Sequence, residues 1–157
     1  MKGLLWRLHP ITEADIDQIL EIERQCFADP WPRVIFLQEL SDGGADNYAV
    51  RHHSSAFSKD IIGYICYRVS SGTMHISKVA VALKWRGLKI ASWLINASFE
   101  RAVKKGAENA FLEVRCSSVS AVNLYLKLGF DIVEKRKNYY LNPKEDALVM
   151  VKTLKEG

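Results

Sequence analysis

The chain has 157 residues, 48% of them apolar and 25% charged, a globular composition that excludes a disordered chain, a collagen-like repeat and a disulfide-stapled miniprotein. At this length a single domain spanning residues 1–157 is expected, with roughly 70% of the unfolded chain's surface buried. The 22 basic residues against 18 acidic ones leave a net charge of +4, a mild excess that favours an anionic ligand without defining one.

Leu4 to His9 alternates and precedes a proline, which predicts a first strand. Thr12-Glu-Ala-Asp15 reads as a helix cap with acidic residues in the first turn, and Ile16, Ile19, Leu20, Glu23 and Phe27 follow at helical spacing to about Gln25. Pro30-Trp31-Pro32 breaks that helix. Pro32 then suits the first turn of a second helix reaching about Leu40, which Asp42-Gly-Gly ends. Tyr48 to Arg51 is read as a strand and His52 to Asp60 as a polar, Ser-rich loop. Ile61 to Val69 and Met74 to Leu83 form a predicted hairpin around Ser70-Ser-Gly-Thr73. Leu88 to Val103 lacks Gly and Pro and is the long helix, closed by Lys104-Lys-Gly106. Ala110 to Arg115 is a strand, Ser118 caps a helix over about Val119 to Leu128 with Gly129 as its stop, and Phe130 to Lys137 and Ala147 to Leu154 close the chain as strands. That order predicts one mixed sheet with helices on both faces, in α/β/α layers.

The longest apolar stretch, near Ile61 to Tyr67, is far short of the ~20 residues of a membrane span. Arg7 and His9 interrupt the N-terminal segment before an apolar signal region forms, so a soluble, cytoplasmic protein is expected, with no membrane partner. Cys26, Cys66 and Cys116 are sparse and odd in number, as expected of reduced thiols, and no Cys-x-x-Cys or His-x-x-x-His spacing predicts a metal site. Lys84/Arg86/Lys89, Lys104/Lys105 and Lys135/Arg136/Lys137 are small separate groups without a recognition motif, so no specific nucleic-acid partner is expected. His52 and His53 are read as a solvated loop or strand end.

Three segments hold candidate chemistry. From Val79 to Ala91 a strand runs through a basic, Gly-containing turn into a helix, and a helix N-terminus with Arg86 and Lys89 nearby can hold phosphate; an ordinary strand–helix loop has the same pattern. In Phe111-Leu-Glu-Val-Arg115 a carboxylate stands inside an apolar strand. Glu113 and Arg115 share a face and could simply pair, or Glu113 could be a base with a raised pKa. In Ser120 to Phe130, Ala121, Leu124, Tyr125 and Leu128 form a helical stripe in which Tyr125 is read either as a core residue or as a catalyst.

Together these segments resemble the GNAT acetyltransferase superfamily over almost the whole chain. The likeness includes Ala28-Asp-Pro-Trp31, Val79-Ala-Val81, Leu112-Glu-Val-Arg115, Asn123-Leu-Tyr-Leu-Lys-Leu-Gly-Phe130, and Arg136-Lys-Asn-Tyr-Tyr140 followed by Glu145-Asp-Ala147. The first and last of these are most similar to the branch acting on the N-terminal alanine of ribosomal proteins. The resemblance implies the GNAT fold, an α+β arrangement with a mixed, mostly antiparallel sheet of about seven strands and about four helices. It implies acetyl-CoA as cosubstrate, with Val79, Ala80 and Val81 lining the pantetheine arm and Gly87, Leu88, Lys89, Ile90, Ala91 and Ser92, beside Arg86, holding the pyrophosphate. Ser118 matches a cofactor contact that is usually Asn. Glu113 matches the proton acceptor, Tyr125 the proton donor, and Tyr139 and Tyr140 border the acceptor, a protein or peptide N-terminus. The superfamily pattern Arg/Gln-x-x-Gly-x-Gly/Ala reads Arg86-Gly-Leu-Lys89-Ile-Ala91 here, so a positive φ at position 89 would strain a lysine. Acetylation of a small amine or lysine side chain, and a CoA-binding interaction module with weakened catalysis, are the alternative readings. A monomer or weak dimer is expected.

Overall fold

The computed structural model describes residues 6–52 and 59–155. In chain order these form β1 (Trp6–Pro10), α1 (Ile16–Cys26), α2 (Arg33–Ser41), β2 (Ala45–His52), β3 (Ile61–Ser70), β4 (Thr73–Val81), α3 (Ile90–Lys104), β5 (Asn109–Arg115), α4 (Val119–Lys127), β6 (Asp131–Leu141) and β7 (Lys144–Thr153). The seven strands make one sheet in the order β1-β2-β3-β4-β5-β7-β6. Pairing is antiparallel for β1–β2, β5–β7 and β6–β7, and parallel for β4–β5. With four α-helices among the described residues, this is the mixed-sheet α+β architecture expected from the sequence.

Two compact units can be distinguished, Met1–Tyr67 with Lys78–Ser98, and Arg68–Ser77 with Phe99–Gly157. In the first, α1 presents Ile16, Ile19 and Ile22 to a core that includes Phe36 of α2, Ala49 of β2 and Ile61 and Tyr64 of β3. Each fully buried Ile of this kind contributes about 1.5–3 kcal/mol of transfer free energy. β3 is buried without a break from Ile61 to Tyr67, which is why it reads as a continuous apolar run. Gly63 permits a close backbone approach there, because a Cβ at that position would stand 2.8 Å from the Ala80 carbonyl oxygen. The expected cap before α1 is a 3₁₀ turn, Glu13–Asp15, where the Thr12 backbone N–H donates to Asp15 Oδ2 at 2.8 Å. Pro32 occupies the N-cap position of α2.

In the second unit, Ser71 and Gly72 both have positive φ (50° and 79°), as a two-residue type I′ hairpin requires. β5 alternates strictly, burying Ala110, Leu112 and Val114 and leaving Phe111, Glu113 and Arg115 on the other face. α4 ends in a Schellman motif. The Gly129 N–H donates to the Leu126 carbonyl (3.1 Å), the Phe130 N–H donates to the Tyr125 carbonyl (3.0 Å), and Gly129 sits at φ +98°. The Phe130 and Tyr125 rings, 5.8 Å apart, supply the motif's apolar contact. β6 is an edge strand exposed along nearly its whole length, with register shifts between Ile132 and Glu134 and between Arg136 and Tyr140.

Several local expectations differ. α3 begins at Ile90 rather than Leu88, because Gly87 and Lys89 take positive φ and keep the preceding turn out of the helix. β4 ends at Val81, and Leu83–Trp85 is a 3₁₀ turn. His52 is the last residue of β2, the strand end of the two alternatives, and its ring lies against Trp6 and Trp85. Residues 4 and 5 of the expected first strand, and 53–58 of the expected loop, lie outside the described residues. No helix among the described residues is long and apolar enough to cross a membrane.

Gly129→Ala places a side chain at positive φ and its Cβ 2.6 Å from Lys152 Nζ. A loss of about 1–2 kcal/mol is expected from the backbone conformation, read as a lower urea midpoint with an unchanged slope; an unchanged midpoint contradicts it.

Candidate active site

In the first unit the site-bearing segment starts where β4 ends. Ala80 and Val81 are buried. The Val81 carbonyl accepts from Arg86 Nε at 3.3 Å and from the Cys26 thiol at 3.5 Å, and the Ala82 N–H donates to the Ile62 carbonyl at 2.8 Å. Arg86, Gly87, Leu88 and Lys89 are then exposed, whereas Ile90 is buried and anchors the start of α3. The Lys89 carbonyl takes the first helical hydrogen bond, from the Trp93 N–H at 3.1 Å. Gly87 has φ +82° and Lys89 φ +61°, and a Cβ at Gly87 would meet nothing within 4 Å. Successive amides in such a turn form a concavity suited to an anion. Lys84, Arg86 and Lys89 are the basic residues of this segment, the Arg86 guanidinium being turned to the Val81 carbonyl and the Cys26 sulfur, and Ala91 and Ser92 lie half-buried in the first turn of α3. These features fit a pyrophosphate. Lys89 pays for its place with left-handed backbone strain, about 1–2 kcal/mol for an L-residue.

In the second unit the parallel register sets His75 opposite Phe111. The two rings stack at 4.3 Å with an interplanar angle of 5°, and His75 Nε2 lies 2.7 Å from Glu113 Oε1 and 3.3 Å from Oε2. The Glu113 side chain is 10% exposed, so this partner compensates a carboxylate largely removed from water. The hydrogen bond from His75 holds the Glu113 carboxyl below its ordinary value despite burial, aided by the charge of His75, the charge of Arg136 and a hydrogen bond from Tyr139. The sequence-based expectation of a raised pKa is therefore corrected. Arg115 does not pair with Glu113 either. Its guanidinium goes to Glu145 Oε1 (3.2 Å) and to the carbonyls of Pro143 (2.8 Å) and Asn142 (3.1 Å), and lies 4.3 Å from the Tyr140 ring. Glu145 also accepts the Ser117 N–H at 2.6 Å, and its pKa is lowered by hydrogen bonds from Ser117 and Arg115.

Tyr139 and Tyr140 are neighbours on a strand, which would normally send them to opposite faces. Asn138, at φ +54° and held by its N–H to Asp146 Oδ1 (2.8 Å), lies in the bulged stretch of β6, and the two rings meet edge-on at 5.0 Å. Burial raises the Tyr139 pKa, as does the Glu113 charge; burial together with Tyr139 and Glu113 pushes Tyr140 up to about 12. Tyr125 is buried, and burial, then the nearby Tyr140, raises its pKa further. Of the two sequence readings of Tyr125, its burial shows the core residue, and it lies near Tyr140. Ser118 is the N-cap of α4, but its side chain makes no capping hydrogen bond; its backbone carbonyl accepts the Val122 N–H instead.

The second unit thus gathers Glu113, Tyr125, Tyr139 and Tyr140 around an electrostatic centre, and adds His75, which sequence reasoning missed. The signal was a polar residue between buried Met74 and Ile76 on a strand, but its meaning depends on the β4–β5 register. Among the described residues no three His, Cys, Asp or Glu side chains are grouped to hold a metal ion.

The model of the acetyltransferase (GNAT) family matches residues 16–130, drawing on both units. A Bacillus subtilis (strain 168) protein provisionally named ribosomal protein bS18-alanine N-acetyltransferase is 33% identical, over 90% of this chain and 91% of that one. An N-alpha-acetyltransferase of Sulfurisphaera tokodaii is 31% identical, over 98% of this chain and 96% of the relative. The crystal structure of the ribosomal-protein-S18-alanine N-acetyltransferase from Escherichia coli shares the fold, with a TM-score of 0.84 at 21% identity over 97% of this chain and 96% of that one. Other solved structures of this fold hold CoA or acetyl-CoA. With the mixed sheet, the strand–turn–helix junction and the sequence in agreement, the chain belongs to the GNAT acetyltransferase family and is an N-acetyltransferase.

Proposed function

We propose that this enzyme transfers acetyl from acetyl-CoA to the N-terminal α-amino group of a protein, with a ribosomal protein beginning in alanine as the acceptor, and that the whole chain acts as one catalytic domain. The observation that carries the proposal is the carboxylate–imidazole pair of Glu113 and His75, 2.7 Å apart. The 33% identical Bacillus subtilis relative supports the choice of acceptor.

Acetyl-CoA supplies an activated thioester. The residues that would hold it are Val79, Ala80 and Val81 along the pantetheine arm, and the turn from Arg86 to Ser92 at the pyrophosphate, with Ser118 as a further contact. An α-amine has a pKa of about 8 and is mostly protonated at pH 7, so a proton must be removed before the nitrogen can attack. Glu113, held ionised, is a weak acceptor by itself. In its neutral form the His75 ring takes the proton, while Glu113 orients that ring and stabilises the imidazolium so formed, the division of labour found in other carboxylate–imidazole pairs. A backbone N–H near Val81 stabilises the developing oxyanion. Tyr125 keeps its proton at working pH and serves the leaving sulfur as a hydrogen-bond donor. A thiolate leaves fairly well unaided, so this help is smaller than that of the base. Tyr139 and Tyr140 border the acceptor chain.

The acceptor is tested with peptides differing only in the first residue, alongside an N-terminally blocked peptide carrying one lysine, and a small amine. Acetylation restricted to free α-amines, highest with alanine first, is expected; preferential modification of the lysine or the small amine overturns the reading. Glu113→Gln is expected to lower kcat by about 10²- to 10⁴-fold, and Tyr125→Phe by no more than about 10²-fold. Full activity of Glu113→Gln at every pH removes Glu113 from the mechanism. Because the folded-state pKa of Glu113 is lowered, its ionised form stabilises the fold above the unfolded-state pKa of about 4.3. The stability difference between wild type and Glu113→Gln is therefore expected at neutral pH and should shrink as pH falls below that value, as read from urea midpoints. Lys89→Gly is expected to raise unfolding stability by about 0.5 kcal/mol or more through relief of the positive φ. Calorimetry with acetyl-CoA then reads what the lost ammonium contributes to binding.

A further inference from the structure

The last turn of α1 meets the end of β4 at three points. Glu23 is fully buried, accepts hydrogen bonds from the Tyr64 hydroxyl and the Trp31 backbone N–H (2.8 Å), and lies 3.5 Å from Lys78 Nζ. The Lys78 ammonium sits 3.6 Å from the Phe27 ring centroid and 5.0 Å from that of Trp31, so its charge is shared between a carboxylate and two aromatic faces. Two residues after Glu23, Gln25 Oε1 accepts the Leu83 N–H at 3.2 Å. Cys26 donates its thiol to the Val81 carbonyl and accepts from Arg86 Nη2 at 3.0 Å, while Arg86 Nε reaches the same carbonyl. The residues gripped, Lys78, Val81 and Leu83, bracket the segment assigned to the pantetheine arm.

Burying the Glu23–Lys78 pair is a poor route to stability, because an apolar pair of similar volume commonly does as well or better. Burial also lowers the Lys78 pKa, with Glu23 opposing the shift. What the pair does provide is direction. One carboxylate fixes the loop after α1 through Trp31 and the strand through Lys78, so neither can slide without breaking a buried contact.

We propose that Glu23, Gln25 and Cys26 are positioning residues that hold β4 and the turn after it, from Lys78 to Leu83, in the shape that receives the acyl-CoA arm. This inference rests on the cofactor reading above. It sets the affinity for the acyl donor and leaves recognition of the acceptor alone.

The test uses Gln25→Ala, an exposed residue whose loss leaves the core intact, and the double variant Glu23→Gln/Lys78→Met, which removes both buried charges together. Gln25→Ala is expected to raise the acetyl-CoA KM up to about three- to tenfold, with the acceptor KM unchanged and the urea midpoint lowered by no more than the loss of one exposed hydrogen bond accounts for. The double variant is expected to raise the acetyl-CoA KM further, and hydrogen exchange should quicken at the amides of Val79 to Leu83 in both variants. Unchanged acetyl-CoA KM and amide protection overturn the proposal, and so do equal rises in both KM values, which a general loosening produces. Calorimetric titration of the wild-type chain with CoA separates the two levels. Binding by wild type with unaffected variants refutes only the positioning role, and no binding by wild type refutes the cofactor reading on which it rests.

Discussion

A carboxylate removed from water must find donors or lose its charge, and two carboxylates in this chain meet that constraint in different ways. Glu23 is surrounded by a tyrosine hydroxyl, a backbone amide and a lysine, and it ties α1 to β4. Glu113 stands on the exposed-face register of an alternating strand and is met by one imidazole, itself stacked on Phe111. The first arrangement closes every direction around the charge and is structural. The second leaves His75 more than a third exposed at the side chain, so one side of the pair stays open to solvent. Both depend on β4, which carries His75 three residues before Lys78, and which the I′ turn at Ser71 and Gly72 delivers in register from β3.

The order of the elements was legible in the sequence because each carries its own short-range period. The isoleucines of α1, the unbroken apolar run of β3 and the alternation of β5 are local patterns with one solution each. Gly129 was legible for the same reason, as a helix stop whose positive φ only glycine adopts without strain. The conformation of Lys89 was not, because a lysine after Gly-Leu at a helix start is compatible with either sign of φ. Its left-handed backbone follows from Ile90 being drawn into the core while Gly87 turns the chain outward.

The site was legible in part. Glu113 and Tyr125 stand out by residue type and by likeness to a family, and the side chains named on β6 do gather near Glu113. The sign of the Glu113 pKa shift was out of reach, since it is fixed by a residue 38 positions away whose approach depends on three residue pairs of parallel ladder. The meeting of Tyr139 with Tyr140 was equally hidden, because strand parity separates them and only the bulged stretch around Asn138 brings their rings together. Where a contact depends on non-local pairing or on an irregular residue, composition and period carry no information about it.

The exposed edge at β6 has a consequence for how the chain behaves at high concentration. An open strand of 11 residues offers unpaired backbone groups along one side, a template on which a foreign strand could add. Here two irregularities interrupt the ladder, and Lys135, Arg136 and Lys137 stand in a row at its centre. A second copy docking edge to edge would have to superpose these cations and match a bent backbone. The same bulge that brings a tyrosine toward the Glu113 carboxylate thus also guards against sheet extension between molecules, so a change that straightens β6 would degrade colloidal behaviour along with that contact.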